Sequence, residues 1–391
     1  MEKWFFFLYS VMVTILYVLA LPFLFFLSFK SKYKHSIPAR FFLKNNTPLS
    51  SNGIWFHVCS FGEAKAIKPL VAALPKDSLR MSTTTQTGFD AIGSYTRERA
   101  YLPFEPLLFG WIKSQKVLVV MEAEFWYLLF SLAQKRAAKT LLINARISDR
   151  SYPKYMRMRW LYKQIFKHID EVYAQTELDK TRLEALGAKS VRVTGNIKLS
   201  SLTSVSEKLV KPSAFVVCGA STHEGEEELI LDAFLKLKRE NSNTKLIIAP
   251  RHPERFSKVA KMIEIFSNEE NLSWHRYSKA RHFDNDIILV DALGELVNIY
   301  AISDIVILGG AFEPIGGHNA AEAAQFGCKI ISGSHYFNQK DIFEAVEGIA
   351  IVEASNLSRR ILQHGQLKTT RIKSKTDISP IVESIKNAIM T

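Results

Sequence analysis

Short apolar runs alternate with amphipathic segments along two long stretches of this chain, and that alternation restricts its fold more than any other feature. From Gly53 to about Asn196 the spacing predicts strands at Ile54–Val58, Arg80–Thr84, Lys116–Met121, Thr140–Asn144, Glu171–Ala174 and Val191–Thr194. Helices fill the gaps at Glu63–Leu74, Thr87–Arg97, Phe125–Lys135, Lys154–Lys167 and Thr176–Leu186. A Ser-, Lys- and Val-rich stretch without strong periodicity, Leu199–Pro212, interrupts the pattern. It then restarts with strands at Ala214–Gly219, Lys245–Ala249, Ile287–Val290, Ile305–Leu308 and Lys329–Ile331, separated by helices at Glu224–Arg239, Pro253–Ile265, Gly294–Ala301 and His318–Phe326. A βα repeat implies a parallel sheet covered on both faces, so the expectation is an α/β protein with two Rossmann-like doubly wound domains. Such domains place their ligands beyond the C-terminal ends of the strands, here facing across a cleft. At 391 residues, 47% of them hydrophobic and 23% charged, the chain is long enough for two domains and too apolar to be disordered.

Ahead of the repeats, Trp4–Phe29 runs 26 residues without a charge, longer than the roughly 20 an α-helix needs to cross a bilayer. Pro22 and the following Phe23–Phe29 cluster offer no small-residue cleavage site, so the segment reads as an uncleaved membrane-anchor helix. The flank after it holds Lys30, Lys32, Lys34 and Arg40, against only Glu2 and Lys3 before it. That asymmetry puts the body of the protein on the cytoplasmic side. A monotopic hairpin bent at Pro22 is the alternative, with the same sidedness. The domain boundaries expected are an anchor over 1–32, a first domain over 33–200, a linker over 201–212 and a second domain over 213–391.

Charge divides along the same boundary. The net charge is +13, yet Lys30–Lys198 alone holds 28 basic and 13 acidic residues, while the remainder is close to neutral. A basic half beside an anchor fits an anionic inner-membrane surface or a phosphorylated lipid. No nucleic-acid-binding motif accompanies the charge, so no nucleic acid is expected as a partner. Cys59, Cys218 and Cys328 are scattered without metal or redox spacing, which fits a reducing compartment.

Polar residues gather where the strand ends should lie. In the second repeat, ILGGAFEPIGGHNAAEAAQFGC (Ile307–Cys328) passes from an apolar strand through a glycine-rich turn into a small-residue helix. Backbone N–H groups there can hold a phosphate, and Glu322 one turn inside can accept hydrogen bonds from ribose hydroxyls. APRHPE places Arg251 at a strand end, where a guanidinium can take a phosphate bidentately, and DALGE places Gly294 at a helix start. The acidic run in CGASTHEGEEE reads as a match to its helix dipole. In the first repeat, HVCSFGE ends on Glu63, MEAE puts Glu122 directly after an apolar run, and STTTQTG, NARIS and GNIK each finish a strand with hydroxyls, an amide or a cation. Glu63 is either a plain dipole partner on a first helical turn or a general base. The donor nucleotide is expected on the C-terminal half and the acceptor on the basic half.

Ten blocks, HVCSFGEAKA, STTTQTG, MEAEFW, NARISDRS, AQTELD, GNIK, GASTHEGEEE, PRHPERF, LGEL and GGAFEPIGGHNAAE, in this order and spacing, resemble the Kdo (3-deoxy-D-manno-octulosonic acid) transferase family of Gram-negative bacteria. The resemblance covers nearly the whole chain. It implies a GT-B fold and inverting transfer of Kdo from CMP-Kdo to a lipid A precursor (lipid IVA) in lipopolysaccharide inner-core biosynthesis. The family acts at the cytoplasmic face of the inner membrane, with no cofactor and no required metal. Its general base corresponds to Glu63, and its two transition-state-stabilising groups correspond to Glu122 and Lys198. Its CMP contacts fall on Pro250 and Arg251, on Leu293, Gly294 and Glu295, and on Asn319, Ala320, Ala321 and Glu322. The family's MGE appears as LGE, its ETELWP as EAEFWY and its HNPLE as HNAAE, which keeps the carboxylates and the amide but loses two prolines. A GT-B enzyme using a UDP-sugar on a membrane acceptor remains an alternative that nucleotide competition would separate, as does a non-enzymatic lipid-binding module, which would have no nucleotide affinity.

Overall fold

The computed structural model describes residues 2–30, 33–200, 202, 204–373 and 376–390. Lys32 of the basic flank and Ser201 and Thr203 of the linker lie outside them. The chain divides into two compact units, Met1–Ser201 with Lys375–Thr391, and Leu202–Ser374.

The first unit is built on seven strands: β1 (Ile54–His57), β2 (Leu79–Thr83), β3 (Arg99–Tyr101), β4 (Val117–Met121), β5 (Lys139–Ala145), β6 (Glu171–Ala174) and β7 (Val191–Val193). Every pairing is parallel, in the order β3-β2-β1-β4-β5-β6-β7. Alternate side chains of β4 enter opposite cores: Leu118 and Val120 pack with Phe130 and Leu142, whereas Val117, Val119 and Met121 pack with Phe56 and Ile143. Because both faces are buried, the strand reads as an unbroken apolar run.

The second unit repeats the plan with β8 (Phe215–Thr222), β9 (Thr244–Pro250), β10 (Trp274–Arg276), β11 (Ile287–Leu289), β12 (Ile305–Leu308), β13 (Lys329–Ser332) and an edge strand Ala350–Ile351. Their order is β10-β11-β9-β8-β12-β13-edge, again all parallel. In each sheet the order reverses at one point, between β1 and β4 and between β8 and β12, where a doubly wound fold opens a crevice at its strand ends.

Four local features differ from the sequence expectation. β3 and β10 are three-residue edge strands that polar residues conceal from a periodicity reading. The segment expected as one helix from Lys154 to Lys167 is two, Tyr152–Arg157 and Arg159–Phe166, broken at Met158. The helix expected over His318–Phe326 is one turn, Ala321–Ala324, and that over Gly294–Ala301 is Leu296–Tyr300. Gly294 and Gly327 both have positive φ, a conformation that stops a helix from extending through them.

The largest difference is at the C-terminus. The sequence assigned residues through 391 to the second domain, but helix Ser379–Met390 packs on the first sheet. Its Ile381 and Ile385 are fully buried among Ile143, Tyr173 and Ile197. Tyr173 Oη donates to Pro380 O at 3.2 Å, and Ser384 Oγ to Glu171 Oε2 at 2.8 Å. An amphipathic helix has an apolar stripe but no address; only packing states which sheet it covers.

Candidate active site

In the first unit the reversal point is occupied by acids. Ser60 caps helix Phe61–Ala66, its Oγ accepting from Glu63 N at 3.3 Å and donating to Glu63 Oε1 at 2.9 Å. Glu63 Oε2 accepts from Cys59 N at 2.8 Å. The arrangement is a variant of the capping box in which the carboxylate reaches the N–H one residue before the cap. It fixes both carboxyl oxygens while the side chain is 9% exposed. Burial, with the charges of Glu122 and Glu124 adding to it, pushes the Glu63 carboxyl up to about 7 despite the hydrogen bonds that oppose the shift. A carboxyl half-ionised near neutrality is tuned for proton transfer.

Glu122 follows β4 in a left-handed conformation, φ 61°, an uncommon backbone for a non-glycine residue and costly unless its surroundings hold it. Its N–H donates to Ile143 O at 2.9 Å, and its carboxylate pairs with Lys198 Nζ at 3.1 Å. Asn144, fully buried at the end of β5, joins the two elements: its Nδ2 reaches Glu122 Oε1 at 3.4 Å and its Oδ1 accepts from Ile197 N at 2.9 Å. Asn196 Oδ1 accepts from Lys198 N at 3.0 Å and so shapes the turn that carries the lysine. Three loops, after β4, β5 and β7, thus converge on one ion pair. The hydroxyls of STTTQTG do otherwise: Ser82 Oγ meets the buried Trp55 and His57 rings, and Thr85 Oγ1 donates to Cys59 O at 2.8 Å. They support the Glu63 turn from behind.

His57, Cys59 and Glu124 have potential ligand atoms within 4.8 Å of one another, a metal-compatible grouping among the described residues. The Arg40 guanidinium already supplies a positive charge there. Burial and that charge hold His57 down at about 3.

In the second unit the same topological position carries the glycine loop. Gly309 and Gly310 follow β12; a side chain on Gly309 would stand 2.5 Å from Ser221 O, and Gly310 has φ +73°. Beneath them the acidic run has a role that a dipole match does not describe. Glu226, 1% exposed, accepts from Gly310 N at 2.9 Å, from His223 N at 2.9 Å and from Phe312 N at 3.3 Å. Glu227, fully buried, takes Arg255 bidentately and Thr222 Oγ1 at 2.7 Å. Glu226 is therefore a clasp between the loop ends of β8 and β12, and Glu227 one between the ends of β8 and β9.

Three histidines converge above this clasp, one after each of β8, β9 and β12. His223 Nε2 lies 2.9 Å from His318 Nε2 with the rings stacked, and His252 meets His223 edge-on at 5.4 Å. Burial, with His223, Arg251 and His252 adding to it, pushes His318 down to about 4, so this pair is neutral near pH 7 and one ring donates to the other. The sequence alone did not single these residues out; the signal available was that His223 and His252 follow strand ends in THEG and RHPE, while His318 closes the glycine loop in GGHN.

Of the residues expected to contact a nucleotide, Pro250 closes β9 in register with Thr222, and Arg251 N donates to Thr222 O at 3.0 Å with its side chain exposed. Asn319 Oδ1 accepts from Ala321 N at 3.0 Å, its Nδ2 reaches Glu322 Oε1 at 3.3 Å, and Ala320 and Ala321 are buried. Leu293 is 70% exposed before Gly294, whereas Glu295 pairs with Arg281 and accepts from Asn298 Nδ2 at 3.1 Å. The helices that follow, Leu296–Tyr300 and Ala321–Ala324, pack against each other, so these two turns lie on one side of the unit. Both helices are too short for a strong macrodipole, which leaves backbone N–H groups as the anion donors.

Two Rossmann-like units, one with a carboxyl poised near neutrality at its reversal point and the other with a glycine loop and Arg251 at its strand ends, follow the two-domain plan of the GT-B class of glycosyltransferases. Residues 35–201 match the family model described as 3-deoxy-D-manno-octulosonic-acid transferase (kdotransferase). The 3-deoxy-D-manno-octulosonic acid transferase of Haemophilus influenzae is 31% identical over 378 residues, covering 89% of this chain and 87% of that one. That of Bordetella pertussis is 30% identical over 314 residues, covering 74% and 72%. A bifunctional glycosyltransferase/methyltransferase of Fusobacterium nucleatum is 34% identical over 321 residues, and the chain spans about half of its length, 49%. The crystal structure of the C-terminal CMP-Kdo binding domain of WaaA from Acinetobacter baumannii is 28% identical and covers 45% of this chain and 88% of its own, with a TM-score of 0.36. The chain belongs to the 3-deoxy-D-manno-octulosonic acid transferase family.

Proposed function

We propose that this enzyme transfers Kdo from CMP-Kdo to a sugar hydroxyl of a lipid A precursor, with inversion, at the cytoplasmic face of the inner membrane. Glu63 takes the proton from the attacking hydroxyl as oxygen bonds to the anomeric carbon and the bond to the CMP phosphate breaks. The single observation that carries this reading is the Glu63 carboxyl, pinned by Ser60 and Cys59 N–H and lifted to about 7. A base must be ionised often enough to act and basic enough to pull, and a value near the working pH serves both.

CMP-Kdo binds the second unit. Arg251 takes the phosphate, the turns at Leu293–Glu295 and Asn319–Glu322 supply N–H donors, and Glu322 receives the ribose hydroxyls. The His223–His318 pair fits this assignment: burial first, and then the neighbouring Arg251 and His252, keep both rings neutral, and an arriving anion favours their protonation. Lys198 offsets negative charge developing toward the leaving phosphate, and Glu122 holds it in place. The excess of basic residues over Lys30–Lys198 matches an anionic lipid acceptor and leaflet.

The decisive assay is incubation of CMP-Kdo with a tetra-acylated lipid A precursor, read by mass spectrometry. Wild type adds the mass of one or more Kdo units. Glu63→Ala loses at least about 10²-fold in turnover while CMP affinity, measured by calorimetry, is unchanged; loss of CMP binding in that variant would assign Glu63 a structural role instead.

A further inference from the structure

The long apolar helix α1 (Glu2–Leu27) does not project away from the first unit; one stripe of it is packed on that unit from Phe5 to Tyr17. Phe5 meets Tyr127 edge-on at 5.0 Å and Trp160 at 6.2 Å. Lys135 Nζ sits 3.1 Å from the centre of the Phe6 ring. Tyr9 Oη donates to Glu105 Oε2 at 2.7 Å, and that carboxylate, 3% exposed, also accepts from Leu128 N. Tyr17 Oη donates to Phe41 O, while Val13 and Leu24 are buried at 5% and 9% exposure. At the start of the helix, Glu2 Oε1 comes within 3.8 Å of His168 Nε2. Positions 5, 9, 13, 17 and 24 fall on one face of a helix. The opposite face is bare: Trp4, Leu8, Leu19 and Phe26 are each more than 60% exposed.

Packing and spanning exclude each other. From Phe5 to Tyr17 the docked stretch extends about 18 Å at 1.5 Å per residue, more than half the thickness, about 30 Å, of a hydrocarbon core. A helix that crossed the bilayer in this arrangement would carry Glu105, Lys135 and His168 into lipid, where each ionisable group costs several kcal/mol. A helix that crossed after leaving the unit would uncover Tyr127 and Glu105, which are 1% and 3% exposed. The spanning expectation suits the composition of α1; the polar and aromatic contacts suit a helix that lies flat.

We propose that α1 is monotopic: it stays docked on the first unit and sinks its bare apolar face into one leaflet of an anionic bilayer, without crossing it. The occupant of that face is lipid, because Lys30 and Lys34 follow the helix and the unit beneath it carries 28 basic against 13 acidic residues. Exposed Trp160 and Phe109, which touch Phe5 and Phe6, continue the apolar face onto the unit itself. The proposal rests on the membrane location proposed above, and its test separates the two.

The test uses the full-length chain in its native membrane. In a Phe5→Cys/Trp160→Cys variant, mild oxidation forms a disulfide that shifts gel mobility; in a spanning helix these positions lie far apart and no cross-link forms. Independently, Lys3→Cys is not labelled by an impermeant maleimide added to intact spheroplasts and is labelled after lysis. Periplasmic labelling of Lys3→Cys, or absence of the cross-link while that label enters, overturns monotopic insertion. Recovery of the chain in the soluble fraction overturns the membrane location itself.

Discussion

At the scale of single residues, the proposed chemistry depends on how three charges share one edge of a sheet. Glu63 is lifted toward neutrality first by burial and then by Glu122, and Glu122 is itself paired with Lys198. The sign of the pH dependence follows. A base acts when deprotonated, so kcat/KM rises with pH through about 7 and levels off above it. Removing the neighbouring negative charge favours ionisation of Glu63, so Glu122→Gln moves that acid limb to lower pH. Removing the compensating cation has the opposite effect, and Lys198→Ala moves the limb upward. Rate profiles of the three proteins check this; identical limbs would mean that Glu63 does not titrate in catalysis. HVCSFGE made Glu63 legible as a dipole partner or a base, but the sequence could not choose, since the choice depends on burial and on a carboxylate 59 positions away. The histidine pair was not legible, because His223 and His318 are brought to 2.9 Å only by parallel pairing of β8 with β12.

At the scale of elements, the glycine loop is held by its neighbour rather than by its own helix. Ala321–Ala324 is a single turn, and the loop's N–H groups are fixed instead by the Glu226 carboxylate. Glu226→Ala leaves the N–H groups of Gly310, His223 and Phe312 without that acceptor, at a cost of about 1–3 kcal/mol for each one that stays buried and unsatisfied. The expected outcome is a lower unfolding midpoint for the second unit and at least tenfold weaker CMP binding, with the Glu63 pH limb unmoved. Denaturation with and without CMP reads the first effect and calorimetry the second. An acidic triplet at a helix start is so common as a dipole match that nothing in its composition separates a solvated glutamate from a buried one; the fold does so by setting the loop after β12 on Glu226 and Arg255 on Glu227.

At the scale of the whole molecule, the chain crosses between its units twice, because residues 375–391 return to the first one. Ile385 is fully buried there, and Ile385→Ala removes a packed side chain at a cost of about 2–5 kcal/mol. In a scan that resolves two transitions, the one that CMP does not raise falls, and the one that CMP raises stays; a shift in the CMP-sensitive transition would contradict the packing. By itself the sequence determined the repeated βα order, the two parallel sheets, the apolar N-terminal helix and the strand-end position of nearly every candidate residue. Those are short-range matters of periodicity, turn residues and charge count. Only the tertiary structure decided which sheet the last helix covers, that Glu226 and Glu227 are interior clasps, that three histidines meet, and that α1 lies along the first unit. Each of these depends on contacts between residues tens to hundreds of positions apart, where burial and distance set the energy and a linear pattern holds neither.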